Sequence, residues 1–223
     1  MTAAIVLAAG RGKRMESDTP KQFLHIENEM IIEKTLRVFE ASAVIDEIIL
    51  VTGEEWVEFC RDEIVTKNDF QKVRAIVVGG AERYDSVYAG LLKCPEADYV
   101  MIHNGARPFV TEAILERVSE AVKEFDAAAA AVPSKDTVKI ADEHGFVVST
   151  PDRRRVWNMQ TPQAFNYTLI RGAYEILKES GMTGVTDDAM VIERSGLGRV
   201  KLVMGAYSNI KITTPEDLGL LSG

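Results

Sequence analysis

Leu7-Ala8-Ala9-Gly10-Arg11-Gly12-Lys13-Arg14-Met15, with Pro20-Lys21-Gln22 close behind, is the stretch from which the rest of this chain can be read. Residues 3–8 (Ala-Ala-Ile-Val-Leu-Ala) carry no charge on either face, the pattern of an inner strand in a parallel sheet covered by helices. Glycines at the end of such a strand let the backbone approach a ligand closely and aim its N–H groups inward. Arg11, Lys13, Arg14 and Lys21 outnumber Glu16 and Asp18 in the same segment, so the loop is locally cationic. A long basic loop between a first strand and a first helix suits a polyphosphate.

Two familiar nucleotide loops do not fit. A dinucleotide-binding turn needs a third glycine where helix and strand pack closely, and Met15 occupies that place. A P-loop needs Gly-Lys-Ser/Thr after four intervening residues, and nothing after Gly10 has that form. What remains is a loop with cations at two separated points, able to follow a triphosphate.

A chain of 223 residues with 46% hydrophobic content can bury one substantial core, so one domain over 1–223 is expected. The formal net charge of −8 argues against a nucleic-acid surface, which needs an accumulated basic face. No apolar run approaches the length of a membrane span. Cys60 and Cys94, with no CxxC and no apolar leader at the N-terminus, suit a reducing cytoplasm and read as inert core or helix residues.

Apolar blocks at 3–8, 47–52, 73–78, 99–103 and 127–132 alternate with helix-patterned stretches near 30–41, 54–66, 84–94 and 111–125. That alternation predicts a Rossmann-like, mostly parallel α/β sheet with helices on both faces. Ligands of such sheets bind beyond the carboxyl ends of the strands. The segments found there, Gly10 to Lys21, Gly79-Gly80-Ala81-Glu82-Arg83 and Asn104-Gly105-Ala106-Arg107-Pro108, would bring three loops rich in glycine or arginine to one edge. After Pro133, residues 137–140 and 146–149 flank a turn at His144-Gly145 and read as a hairpin. Two strands alone are marginally stable, so residues 134–155 are expected to form an arm packed on something else, with a second subunit as the leading candidate. The chain then returns through 156–165, helices at about 167–180 and 187–194, a strand near 200–204 and a last helix opened by Thr214-Pro215.

With these segments in place, the sequence resembles the 2-C-methyl-D-erythritol 4-phosphate cytidylyltransferases over nearly its whole length. Ribitol-5-phosphate cytidylyltransferase is the close second. Matching pieces include residues 8–15, Pro20-Lys21-Gln22-Phe23, Asp85-Ser86-Val87, Gly105-Ala106-Arg107-Pro108-Phe109, Lys135-Asp136-Thr137, Thr161-Pro162-Gln163, Thr186-Asp187-Asp188 and Asn209-Ile210-Lys211. Asp152-Arg153, with Trp157 ahead of Thr161, and Ala8-Ala9-Gly10 lean toward the methylerythritol enzyme. The resemblance implies a nucleotidyltransferase-type fold and transfer of CMP from CTP to the polyol phosphate, with release of pyrophosphate and with Mg²⁺ accompanying CTP. A non-catalytic nucleotide-binding protein is the alternative of another class.

The resemblance also implies roles. Arg14 and Lys21 would bind the triphosphate and stabilise charge at the α-phosphorus, with Lys211 assisting from the far side. Backbone at Ala8, Ala9, Gly10, Gly12 and Gly80, with Arg83 and the Ser86 hydroxyl, would hold the nucleotide and read cytosine. Asn104, Arg107, Thr137, Arg153, Thr161 and Thr186 would hold the acceptor, Thr137 and Arg153 reaching the neighbouring subunit's site in a homodimer. An acceptor phosphate is already nucleophilic near neutral pH, so no deprotonating base is needed and none is evident. Relief of anion repulsion by fixed Arg and Lys is the chemistry required.

Plainer readings stand beside these. Arg107 could brace its loop by binding carbonyls, and Thr186 could cap a helix. Arg154 and Arg155 read as a charged turn. His25, His103 and His144 lack metal-site spacing. The chain also departs from its relatives: Asn104 and Ser208 stand where the family usually has aspartates, which leaves the metal ligands unassigned and removes two charges from the expected Mg²⁺ site.

Overall fold

The structure, a computed structural model, describes residues 1–10, 19–181, 183–214 and 216–217. In chain order the elements are β1 (Thr2–Ala8), a 3₁₀ turn (Lys21–Phe23), β2 (His25–Ile26), β3 (Glu29–Met30), α1 (Ile31–Ala41), β4 (Glu47–Thr52), α2 (Val57–Phe59), β5 (Val73–Val78), α3 (Arg83–Leu91), β6 (Tyr99–Asn104) and α4 (Glu112–Phe125). They continue with β7 (Ala127–Pro133), β8 (Ile140–Ala141), β9 (Val147–Ser149), β10 (Trp157–Asn166), α5 (Tyr167–Ser180), α6 (Asp188–Ser195) and β11 (Lys201–Met204). The helix expected over 54–66 is divided among a 3₁₀ turn (Glu54–Trp56), α2 and a π-helical stretch (Cys60–Thr66) that buries Cys60 and Ile64.

Seven strands form one sheet in the order β11-β7-β10-β6-β1-β4-β5. β1 lies inside it, paired in parallel with β4 and β6 through Ile5↔Ile49 and Ile5↔Ile102. Alternation along β1 serves both faces. Ala4 and Val6 join one apolar layer with Leu36 and Phe39 of α1 and Leu115 and Val118 of α4. Ala3 and Ile5 join the opposite layer with Val87 of α3, Tyr174 of α5 and Ile192 of α6. Two-sided burial is why the strand carries no polar stripe.

The sheet is mixed at one place. β10 runs antiparallel to both β6 and β7, while the remaining pairs are parallel. The reason lies in the segment between β7 and β10: Pro133 pairs with Trp157, and Ser134 N donates to the Val156 carbonyl at 2.9 Å. The chain therefore leaves and re-enters the sheet at the same edge, and the returning strand must run back.

Between those points lies the expected hairpin, with shorter strands than the sequence suggested. β8 and β9 are closed by a turn in which Asp142 Oδ1 accepts from His144 N at 3.0 Å and Phe146 N at 2.9 Å, and Gly145 takes φ +85°. A positive φ there is what glycine permits. Ile140, Phe146, Val147 and Val148 are all more than half exposed. Among the described residues no helix is long and apolar enough to cross a membrane.

Candidate active site

A cavity of about 740 Å³ opens at the carboxyl edge of β1 and β6, walled by Ala9, Gly10, Lys21, Gly80, Arg83, Ser86, Asn104 and Lys211 among others. The convergence of three loops expected from the sequence is therefore present, and a fourth segment, carrying Lys211 and Thr213, joins them. Gly12 and Arg14 lie outside the described residues.

Lys21 is held by its neighbours. Gln22 is buried, and its Nε2 donates both to the Ala8 carbonyl and to the Gly10 carbonyl, the latter at 3.2 Å. Phe23 stacks against Trp56 with ring centroids 4.7 Å apart and meets Phe59 edge-on at 5.3 Å. Lys21, between the 3₁₀ turn's Pro20 and these two anchors, is left facing the cavity. Ala8 itself is buried with its carbonyl taken by Gln22, so the exposed backbone at this edge is that of Ala9 and Gly10.

The second loop requires its glycines. A Cβ on Gly79 would sit 2.6 Å from the Ala9 Cβ and 2.7 Å from Ser86 Oγ; one on Gly80 would sit 2.2 Å from the Asp85 Cβ. Gly80 N donates to Ser86 Oγ at 3.1 Å, and that hydroxyl donates on to the Glu82 carbonyl at 3.3 Å. Asp85 Oδ2 accepts from Glu82 N at 3.2 Å, closing the entry to α3. Arg83 lines the cavity, yet its guanidinium fork is turned to Asp188, with Nη1 2.9 Å from Oδ1 and Nη2 2.6 Å from Oδ2.

Behind Asn104 lies a buried relay. Asn104 N donates to Thr161 Oγ1 at 3.1 Å, the Thr161 hydroxyl is 3.1 Å from His103 Nδ1, and His103 Nε2 is 3.2 Å from the Arg107 carbonyl. A neutral imidazole protonated at Nε2 satisfies every member: Nε2–H donates to the carbonyl and Nδ1 accepts from Thr161. Burial keeps His103 neutral, its pKa pushed down to about 3. Thr161 thus orders the Asn104 loop from behind.

Arg107 likewise braces the structure. Its Nη1 donates to the Asn209 carbonyl at 2.6 Å and Nη2 to the Met159 carbonyl at 3.4 Å; burial lowers its pKa to about 10. Ile212 N donates to the Ala106 carbonyl at 2.9 Å, and Asn209 Nδ2 to the Thr161 carbonyl at 2.9 Å. These seams present Lys211 to the cavity.

Of the six residues expected to hold the acceptor, only Asn104 is among those lining this cavity; Arg107 and Thr161 lie behind it, Thr137 and Arg153 are carried off on the arm, and Thr186 stands two residues before the Asp188 that pairs with Arg83 of the wall. Thr137 and Arg153 are exposed on the arm, Arg153 Nη1 reaching the Lys135 carbonyl at 3.3 Å. Thr186 is exposed too, and the cap of α6 falls one residue later, on Asp187, whose Oδ1 accepts from Met190 N at 3.0 Å. Ser208 sits in an exposed turn outside the cavity lining, whereas Asn104 belongs to that lining, so the two departures from the family are not equivalent. Among the described residues no group of three or more His, Cys, Asp or Glu is placed to hold a metal. The cavity wall offers, among the described residues, one carboxylate, Glu82, which is not the donor set of a protein-built Mg²⁺ cage. Cys60 and Cys94 are buried, their thiols pushed up to about 11 and about 12 chiefly by burial.

Sequence reasoning missed Gln22 as a loop pin, Gln160, whose Nε2 donates to the Ala206 carbonyl at 2.7 Å, and Asn209 as the ties of the Lys211 segment, and Asp188 as the partner of Arg83. One signal was available: an amide or acid within an otherwise apolar element is costly unless it is bonded.

An α/β sheet covered on both faces, whose carboxyl edge gathers glycine backbone, two lysines and a polar cavity, defines a nucleotide-handling transferase. The family model for IspD, 2-C-methyl-D-erythritol 4-phosphate cytidylyltransferase, matches residues 2–222. The 2-C-methyl-D-erythritol 4-phosphate cytidylyltransferase of Lachnospira eligens is 49% identical over 219 residues, covering 98% of this chain and 96% of its own length. That of Geobacter metallireducens is 47% identical over 221 residues, covering 97% and 94%. The crystal structure of 4-diphosphocytidyl-2C-methyl-D-erythritol synthase from Anaerococcus prevotii superposes with a TM-score of 0.88 at 37% identity, covering 99% of this chain and 93% of that one. The chain belongs to the 2-C-methyl-D-erythritol 4-phosphate cytidylyltransferase family, and is a cytidylyltransferase of the non-mevalonate isoprenoid route.

Proposed function

We propose that a phosphate oxygen of 2-C-methyl-D-erythritol 4-phosphate attacks the α-phosphorus of CTP in the cavity at the carboxyl edge, breaking the bond to the β-phosphate and releasing pyrophosphate. The observation that carries this reading is the pairing of Lys21 and Lys211 on the wall of one cavity with the glycine backbone of two loops. Cations aimed at phosphoryl oxygens stabilise the charge that develops during transfer. Ala9, Gly10, Gly80 and Ser86 form the nucleotide side; Asn104 and the segment around Thr186 belong to the acceptor side. Arg14 would add a second clamp on the triphosphate. Arg83 and Arg107 serve this site through the loops they brace.

Mg²⁺ would enter on the triphosphate, with Asn104 as a neutral oxygen donor on the cavity wall, and would neutralise phosphate charge. The arm, residues 134–155, exposes a row of apolar side chains and carries Thr137 and Arg153 away from its own cavity. A homodimer in which each arm completes the partner's acceptor site accounts for both. Mixing an Arg153→Ala chain with a Lys21→Ala chain then restores activity to the fraction of mixed dimers with one intact site; failure despite proven subunit exchange would place Arg153 in its own subunit. Two cysteines kept as thiols suit work in the cytoplasm. Pyrophosphate release compared across the four common nucleoside triphosphates, and across 2-C-methyl-D-erythritol 4-phosphate and ribitol 5-phosphate, tests the assignment. CTP with the methylerythritol acceptor is expected to be fastest, and preference for ribitol 5-phosphate would reverse the acceptor assignment.

A further inference from the structure

An ion pair whose carboxylate is wholly buried and whose guanidinium is partly so joins the two segments that this reaction has to hold together. Arg83 is the first residue of α3, whose entry carries Gly80, Glu82 and Ser86 to the cavity. Asp188 is the first residue of α6, two positions after Thr186. The Asp188 side chain is wholly buried and takes three hydrogen bonds: the two from Arg83 and one from the Tyr174 hydroxyl of α5, 2.6 Å from Oδ1. Gln163 of β10 fixes the same helix end, its Oε1 accepting from Asp188 N at 3.1 Å and Ala189 N at 3.0 Å while Nε2 donates to Asp187 Oδ2 at 3.0 Å. Burial opposes the Arg83 charge and Asp188 more than restores it, so the guanidinium titrates above the usual arginine range. Burial, and then the Asp188 charge, keep the Tyr174 hydroxyl protonated well above its ordinary range.

Such a pair brings little net stability, because desolvation cancels much of the attraction and two apolar side chains of similar volume would pack as well. What an apolar pair lacks is direction. A planar fork on a carboxylate fixes both separation and rotation between the elements that carry it.

We infer that Asp188 is a positioning residue which, through Arg83, holds the nucleotide wall at the start of α3 in register with the acceptor segment at Thr186, so that affinity for the two substrates depends on one shared contact. The inference rests on the assignment of those two segments proposed above.

Calorimetric titration of CTP and of 2-C-methyl-D-erythritol 4-phosphate, each alone, with kcat and Tm measured alongside, provides the test. In Asp188→Asn both dissociation constants are expected to rise about tenfold, within the range of couplings carried by such contacts, while kcat at saturation changes far less. The apolar pair Arg83→Met/Asp188→Leu is expected to regain the parent's Tm and still bind both substrates weakly. Tyr174→Phe keeps the ring and loses one hydrogen bond, and is expected to weaken both by about threefold, so it decides the matter if the other variants do not fold. Parent-like affinities in the apolar pair at parent-like Tm, unchanged affinities in Tyr174→Phe, or weakening of one substrate alone would overturn the inference. A parent chain that binds neither substrate overturns the reading of the site itself, and the inference with it.

Discussion

Gln22 Nε2 donates to the Gly10 carbonyl at 3.2 Å and, with its other hydrogen, to the Ala8 carbonyl, so one buried amide pins the end of β1 to the turn that carries Lys21. Strand, glycine loop and cation are thereby fixed against one another. Gln22→Met keeps the volume and leaves both carbonyls without their donor, which costs about 1–3 kcal/mol for each group that water cannot reach. The expected result is a lower Tm together with a raised KM for CTP. A drop in Tm with KM unchanged would limit Gln22 to packing.

Lys21→Ala is expected to lower kcat by about 10²-fold or more while KM for CTP moves much less, because a cation aimed at developing charge acts mainly in the transition state. Steady-state kinetics on the variant separate the two. A rise in KM with kcat retained would make Lys21 a ground-state binding residue.

Gly80→Ala places a methyl group 2.2 Å from the Asp85 Cβ, a contact that backbone must move to relieve. The movement would carry Gly80 N away from Ser86 Oγ and displace the start of α3. CTP binding measured by calorimetry is expected to weaken by about tenfold or more, since a part-buried hydrogen bond is lost and the wall shifts. Gly145→Ala, in the exposed arm turn, is expected to leave CTP binding alone.

The inner strand, the three converging loops and the arm were legible because each is a local pattern: two-sided burial along residues 3–8, glycine and arginine after successive strands, and two short strands around a turn. The direction of β10 was not, since a run of alternating side chains has the same appearance in either sense. Nor was the pairing of Arg83 with Asp188, which are 105 residues apart and meet only because α5 packs against both α3 and α6. Arg107 shows the same limit from the other side. Its residue type suited an anion or a loop brace alike, and only the folded loop shows which carbonyls, those of Asn209 and Met159, take its hydrogens.

His103 makes the fold sensitive to acid. In the unfolded chain its imidazole takes up a proton near pH 6.5, and in the folded protein only near pH 3, because burial disfavours the charged ring. Between those values the unfolded chain binds more protons, so this contribution is full above pH 6.5 and is lost as the pH falls. About 1.4 kcal/mol per pH unit follows from a shift of this kind, or roughly 2 kcal/mol between pH 6.5 and 5. Urea unfolding of the parent and of His103→Gln at both pH values is expected to show the parent losing more stability by about that amount. Parallel losses in the two proteins would contradict the neutral buried imidazole.

Asn104→Asp adds a charge on the cavity wall, and one charge at partly solvated range is worth on the order of 1 kcal/mol toward a divalent ion. The half-saturating Mg²⁺ for pyrophosphate release is expected to fall several-fold. Ser208→Asp, outside that lining, is expected to leave the titration nearly unchanged. If both variants keep the parent's metal dependence, Asn104 does not face the ion.

In the proposed reaction the phosphate of the acceptor becomes bonded to the α-phosphorus of CTP. Phosphorus NMR of the parent chain with CTP, Mg²⁺ and 2-C-methyl-D-erythritol 4-phosphate follows every phosphorus at once. The expected spectrum loses the triphosphate and monophosphate signals and gains pyrophosphate together with a diester diphosphate, the two products in equal amounts, and nothing changes when the acceptor is omitted. Appearance of CMP with pyrophosphate and no diester, or an unchanged spectrum with all components present, would contradict it.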